Sequence, residues 1–266
     1  ALSYLDKGLS IIPLYSPEVI KQNRPRNFVM ELNREFKKNE SSEQPITKDE
    51  VTRDVLTRWC KRPCISGWKE YQHRLPSKEE VSRWFTINPS ANIAIITGTV
   101  SNLVVFDLDS ESAVEYADEQ GGFPDTVKVK TGKGYHIYMK HPGFDVKNQV
   151  KKKLDIDIRA DGGYVVAPPS QHGSGHTYEW EEGYSVFQID PAPCSPWMVD
   201  YLQDISKLDP ESEKKLNDLT QEFSAIGLNE KVVQAAESKP QAPQKDVYLD
   251  LLHNGCNQGQ RNHSAT

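Results

Sequence analysis

The sequence predicts an α+β fold: a sheet-rich domain reaching about residue 200, followed by a helical segment. Three observations carry this expectation. Short apolar or alternating runs bounded by glycine or proline outnumber the helical patterns up to that point. Glycine-bearing turns at 131–134 and 162–163 join neighbouring runs, so the strands are expected to pair largely as hairpins. Beyond Pro196 the pattern turns polar and helical.

Taken in order, residues 1–8 read as a short helix closed by Gly8, and Leu9 to Leu14 as a buried strand. Apolar density then falls from Ser16 to about Cys60. A helix is expected around Phe28 to Phe36, and Thr47-x-x-Glu50 forms a capping box opening another. A structureless stretch of that length would be unusual, so 17–60 reads as a partly helical insertion. Ser77-x-x-Glu80 opens a helix carrying Val81, Trp84 and Phe85. Asn92 to Gly98 is a strand, and a short turn leads into Leu103-Val104-Val105-Phe106-Asp107-Leu108-Asp109, an apolar run ending in two aspartates. Ser110 to Gln120 is a helix stopped by Gly121-Gly122. Thr126–Lys130 and Tyr135–Met139 flank a turn and form a hairpin.

Leu154 to Arg159 alternates strictly, which predicts a half-buried strand with Asp155, Asp157 and Arg159 on one face. Gly162-Gly163 turns it into Tyr164–Ala167, ended by Pro168-Pro169, and Tyr178-Glu179-Trp180 is a last short strand. Helices are expected over 213–226 and from Val247, with a linker at 238–244.

Bulk properties exclude several classes. A net charge of −6 does not advertise nucleic-acid binding, although a basic groove can sit on an acidic protein. Four cysteines (Cys60, Cys64, Cys194 and Cys256) form no dense framework, so a reduced, cytoplasmic setting is expected. No apolar run is long enough to span a membrane and no secretory leader opens the chain. The chain reads as a fragment of a longer polypeptide.

The chemistry concentrates in the carboxylates. Asp107 and Asp109 lie two apart on a strand and so share a face. An aspartate from the alternating strand would complete an oxygen-rich site for two divalent ions, because like charges held together need a proton or a cation between them. Such a site suits in-line phosphoryl or nucleotidyl transfer. Alternation alone does not choose between Asp155 and Asp157. Thr131-Gly132-Lys133-Gly134-Tyr135-His136 is either an ordinary glycine-rich hairpin turn or a backbone able to approach a phosphate, and it is not a Walker loop. Arg159 can hold a triphosphate or pair with Asp157 or Asp161. Cys60-x-x-x-Cys64 and His172-x-x-x-His176 have zinc-like spacing but lie far apart in sequence, so structural zinc is not expected. Lys147, Lys151, Lys152 and Lys153 form a basic run that is either a solvated loop or a track for a nucleic-acid backbone.

The ordered set of motifs resembles the bifunctional DNA primase/polymerase (prim-pol) domain of the archaeo-eukaryotic primase superfamily over roughly residues 1–190. The resemblance rests on the helix-to-strand entry at 8–14, Lys61-Arg62-Pro63 with Gly67-Trp68, and the Asn92–Gly98 strand. It rests further on Phe106-Asp107-Leu108-Asp109, on Gly134-Tyr135-His136, and on the long stretch from Asp157 to Ser170. The insertion at 17–60 departs from the pattern, as does the lack of a zinc stem. The tail from Leu251 to Asn262 is similar to the start of the small helical domain that often follows such domains.

The resemblance implies a two-module fold around an RRM-like palm sheet, with a catalytic domain over 1–200 and a truncated helical extension over 201–266. It implies that Asp107, Asp109 and Asp157 bind two Mg²⁺ or Mn²⁺ ions, which favours Asp157 over Asp155. Lys133, His136 and Arg159 would contact the incoming nucleotide. The expected partners are single-stranded DNA template and primer, NTPs and dNTPs, and a replicative helicase, fused or separate. The setting would be the cytoplasm of a bacterium or archaeon, or a phage-encoded system. The expected reaction is template-directed addition of nucleotides to a 3′-hydroxyl, extending to de novo primer synthesis. The alternatives are a metal-dependent nuclease or phosphodiesterase, and a non-catalytic module binding single-stranded nucleic acid.

Overall fold

The computed structural model describes residues 1–132, 134–149 and 156–206. Within these, eight strands form two antiparallel sheets. The smaller has the order β1 (Ile11–Leu14), β2 (Asn92–Ile96), β7 (Tyr164–Ala167). The larger runs β6 (Ile156–Arg159), β3 (Leu103–Leu108), β5 (Tyr135–Lys140), β4 (Val127–Lys130), β8 (Glu179–Trp180). The α+β class is as expected, and the chain divides its strands between two modules.

The expected pairing is corrected. Among the described residues, β4 and β5 form the one tight hairpin. The turn after β2 hands the chain to β3 in the other sheet, and the Gly162-Gly163 turn hands β6 back to β7 in the first. Both crossings need sharp corners, supplied by Gly98 at φ +86° and Gly162 at φ +80°. Asp161 ties the corners together. Its carboxylate accepts from Thr99 N at 2.9 Å, Thr99 Oγ1 at 3.0 Å and Val146 N at 3.2 Å, and meets His141 Nε2 at 3.0 Å. A Cβ on Gly98 would collide with it. Local turn chemistry was legible in the sequence, but this long-range anchor was not.

Strand alternation sorts the larger sheet into two faces. Val104, Phe106, Leu108, Ile137, Met139, Ile156 and Ile158 pack with helices α6 (Glu111–Glu119) and α7 (Pro196–Ser206). Val105, Val127, Val129 and Tyr138 pack instead against Ile11, Ile12 and Ile93–Ile96 of the smaller sheet. Both faces of β6 are therefore covered, and the half-buried strand predicted by alternation is a buried one. Alternation reports which side each residue takes, not whether the polar side meets water. Helices α1 (Leu2–Asp6) and α5 (Lys78–Ile87) flank the smaller sheet, with the Ser77/Glu80 capping box formed.

The insertion is more helical than expected. It consists of α2 (Pro17–Asn23), capped by Ser16, then α3 (Arg26–Glu40), then α4 (Lys48–Trp59) with the Thr47/Glu50 box. These helices share a small core of Ile20, Phe28, Val55, Trp59 and Cys60. At the other end, α7 passes residue 200 and closes the compact unit at Ser206. Lys133, Lys151, Lys152, Lys153 and Asp155 lie outside the described residues. So do Cys256, the helices expected at 213–226 and from Val247, the linker between them and the tail motif.

Candidate active site

Antiparallel register builds the site. Asp107 on β3 is paired with Asp157 on β6 and with His136 on β5. Paired residues share a face, so three polar side chains stand in a row across three strands. That face is the one that carries Val105 and Tyr138 into the core between the sheets. The row is the polar continuation of a core stripe and is correspondingly buried: Asp107 is 9 % exposed, Asp157 5 % and His136 6 %. Asp109 follows the end of β3 and is exposed. Asp107, Asp109 and Asp157 each offer an oxygen atom, and these lie within 4.8 Å of one another.

Burial works against the charges on this row. Desolvation, opposed by Arg159 and reinforced by Asp157, pushes the Asp107 carboxyl up to about 6. The Asp109 carboxyl is also raised, first by burial and then by Asp107. His136 moves the other way: desolvation and the nearby Lys61 and Arg159 cations hold it down to about 3. The imidazole is therefore neutral at physiological pH, and the 3.4 Å approach of its Nε2 to Asp107 Oδ1 is a contact of a neutral ring. Its Nδ1 is buried and has no hydrogen-bond partner among the described residues, and Tyr178 lies 5.9 Å from the ring. Arg159 Nη2 donates to Asp157 Oδ2 at 2.8 Å and lies 3.7 Å from Asp107 Oδ2. Three carboxylates against one adjacent guanidinium leave negative charge that hard divalent cations would neutralise.

A cleft of about 240 Å³ opens beside this row. Asp107, His136 and Arg159 form one wall, and Lys61, Asn148 and Tyr164 contribute from other segments. The Gly162-Gly163 backbone also borders it, and a Cβ at Gly163 would run into Asn148.

A cleft lined by Asp107, one of a cluster of three aspartates, agrees with the comparison with known families. The model of the bifunctional DNA primase/polymerase N-terminal domain matches residues 1–197. The chain belongs to this family. A comparison with curated proteins finds no match.

For a prim-pol domain, the carboxylate set can hold divalent metal, and nucleic acid and nucleotides are the substrates that the family implies. No helix among the described residues is long and apolar enough to cross a membrane. The structure brings Asp107, Asp109, Asp157, His136 and Arg159 together. Of its two candidate carboxylate partners Arg159 pairs with Asp157, while Asp161 is engaged by Thr99, Val146 and His141. Lys147 stands exposed, its backbone in an isolated parallel β-bridge with Asp161.

The glycine turn has a structural duty. Gly134 donates to Thr131 Oγ1 at 3.0 Å, and a Cβ there would collide with the Leu108 carbonyl oxygen. Gly134 is thus what lets the hairpin approach the end of β3 where Asp109 begins. The Cys60 and Cys64 thiols are pushed up by burial, to about 12 and about 11. His172 Nδ1 is engaged with Ser174 at 2.7 Å. Several cleft residues went unassigned by sequence reasoning, Lys61, Asn148 and Tyr178 among them. Lys61 carried a signal in its Lys-Arg-Pro loop, whereas Asn148 and Tyr178 stand in no pattern that marks them.

Proposed function

We propose that this prim-pol domain is a DNA-directed nucleotidyltransferase, adding nucleotides from NTPs or dNTPs to a 3′-hydroxyl along a single-stranded template. The observation that carries this reading is the convergence of three aspartate oxygens within 4.8 Å, with Arg159 beside them. The donor set fits Mg²⁺ or Mn²⁺: it is all oxygen, and it is electrostatically costly without cations, as the raised Asp107 carboxyl reports. Asp107, Asp109 and Asp157 would hold two such ions. When bound, the ions would activate the attacking hydroxyl and neutralise the leaving pyrophosphate.

The chain's own groups do the rest. Arg159 presents a planar donor fork to phosphate oxygens, while its bond to Asp157 fixes its direction. His136, being neutral, carries one ring N–H and would donate it to a phosphate oxygen as a hydrogen bond rather than a charge. Lys133, by its place in the Thr131–His136 sequence motif, would add a further cation. Rigid strands hold these groups, so little reorganisation is needed when the reacting atoms meet. The same geometry serves whether the 3′-hydroxyl belongs to a primer or to a first nucleotide, so the proposal extends to de novo primer synthesis.

An extension assay tests this with labelled primer–template, all four nucleotides and Mn²⁺. Stepwise lengthening that disappears in Asp107→Ala supports the proposal. Shortening of the strand would favour a nuclease, and binding without turnover a non-catalytic module.

A further inference from the structure

We infer that Lys61 is a second phosphate-binding cation of the cleft, contacting the triphosphate of the incoming nucleotide, and that Glu31 of the helical insertion positions it. The inference rests on the nucleotidyltransferase reading and adds a residue, and a role for the insertion, to it.

Lys61 lies outside the palm, in the segment that follows α4. Hydrogen bonds at Lys61 and just beyond it hold its backbone. The Lys61 carbonyl accepts from Tyr164 Oη at 2.8 Å. The preceding Cys60 is buried in the insertion core. Beyond it, Tyr15 N donates to Arg62 O at 2.9 Å and Cys64 N to Pro13 O at 3.1 Å, so the segment lies along β1. A lysine on so fixed a backbone loses less freedom on binding than one on a free loop.

The neighbouring side chain is committed elsewhere. Arg62 Nη1 donates to Glu31 Oε2 at 3.0 Å, and its guanidinium stacks 4.7 Å from the Trp59 ring. Glu31 also accepts from Trp59 Nε1 at 2.9 Å and pairs with Arg58 at 3.3 Å. One carboxylate on α3 therefore gathers the end of α4 and the start of the loop. Arg62 is held against the insertion, and Lys61 is the cation that lines the cleft.

Among the described residues Lys61 makes no ion pair within 4.0 Å, although it is close enough to Asp107 and His136 to influence both. An exposed lysine lining the same cleft as Arg159, with no carboxylate within ion-pair distance among the described residues, suits a polyanion entering there. The cleft is bounded by β6, the Gly162-Gly163 turn and Tyr164, which matches the end of a triphosphate better than a continuous strand. The template or primer backbone offers the same phosphate chemistry, so the test separates the two.

The experiment uses the full chain with Ca²⁺, and measures binding of a fluorescent nucleoside triphosphate, the matching monophosphate and a single-stranded oligonucleotide. Lys61→Met should weaken triphosphate binding about ten- to a hundredfold, the usual scale for a charged hydrogen bond, and leave the other two within about twofold. Lys61→Arg should recover most of the loss. Glu31→Ala should weaken triphosphate binding about threefold or more without moving monophosphate binding, a split that mere destabilisation would not produce. Unchanged triphosphate affinity in Lys61→Met, or a loss confined to the oligonucleotide, overturns the assignment and leaves the enzyme reading intact. A Glu31→Ala effect on melting temperature alone overturns the positioning role. A wild-type chain that binds no triphosphate overturns both this inference and the reading beneath it.

Discussion

Asp107 and Asp157 face each other across β3 and β6 at the same position of an antiparallel ladder. Like charges directly opposite on neighbouring strands destabilise a sheet, and here both are buried. The arrangement costs stability in the metal-free protein and creates affinity for what relieves it.

The pH dependence of metal-free stability follows from this. Asp107 titrates near 6 when folded against an ordinary 3.8. A carboxyl raised on folding contributes stability in full below its unfolded value, and that contribution is lost as pH rises through the folded one. Compared with Asp107→Asn, which cannot titrate, the wild type in EDTA should lose up to about 3 kcal/mol between roughly pH 4 and pH 7. Denaturant unfolding of both proteins across this range checks it.

Divalent cations should reverse the loss. Mn²⁺ or Mg²⁺ should raise the melting temperature of the wild type and leave that of Asp157→Asn nearly unchanged. Binding near pH 6 should release a proton, because the cation needs Asp107 ionised. Calorimetry in two buffers of different ionisation enthalpy measures that proton directly.

These charges show how far the sequence could be read. The Asp107/Asp109 spacing and the strict alternation around Asp157 announced a shared carboxylate face, and both capping boxes formed where their residues stood. What could not be read is how the segments meet. Nothing local in Gly162-Gly163 says that the chain changes sheets there, because the corner is held by Asp161 reaching Thr99 and Val146. Nor does Lys61 reveal the cleft it lines, since Tyr164, about a hundred residues on, fixes its backbone.

Asp161→Ala should therefore act on stability rather than on chemistry. It removes the carboxylate that the N–H groups of Thr99 and Val146 and the His141 ring share, which should cost about 2 kcal/mol. The Asp161 carboxyl is held well below the usual range, with His141 and the two backbone donors outweighing desolvation. That stabilisation is present above the ordinary carboxylate pKa and is lost as pH falls through the depressed one. The difference in melting temperature from wild type should thus narrow in strong acid.

Gly134→Ala should impair the site without touching a carboxylate. The added methyl meets the Leu108 carbonyl oxygen, so either the hairpin or the end of β3 must shift, moving Asp109. A loss of about tenfold or more in turnover is expected, since displacements of about 1 Å can cost a hundredfold. Weakened Mn²⁺ binding in the same variant would locate the effect at the metal end of the site.

Pyrophosphate release tests the central claim most directly. With template, primer, complementary nucleotide and Mn²⁺, the wild type should release one pyrophosphate per nucleotide added. Asp107→Asn and Asp157→Asn should each abolish the signal. Pyrophosphate that persists in either variant, or nucleoside monophosphates released from the strand instead, would contradict the account.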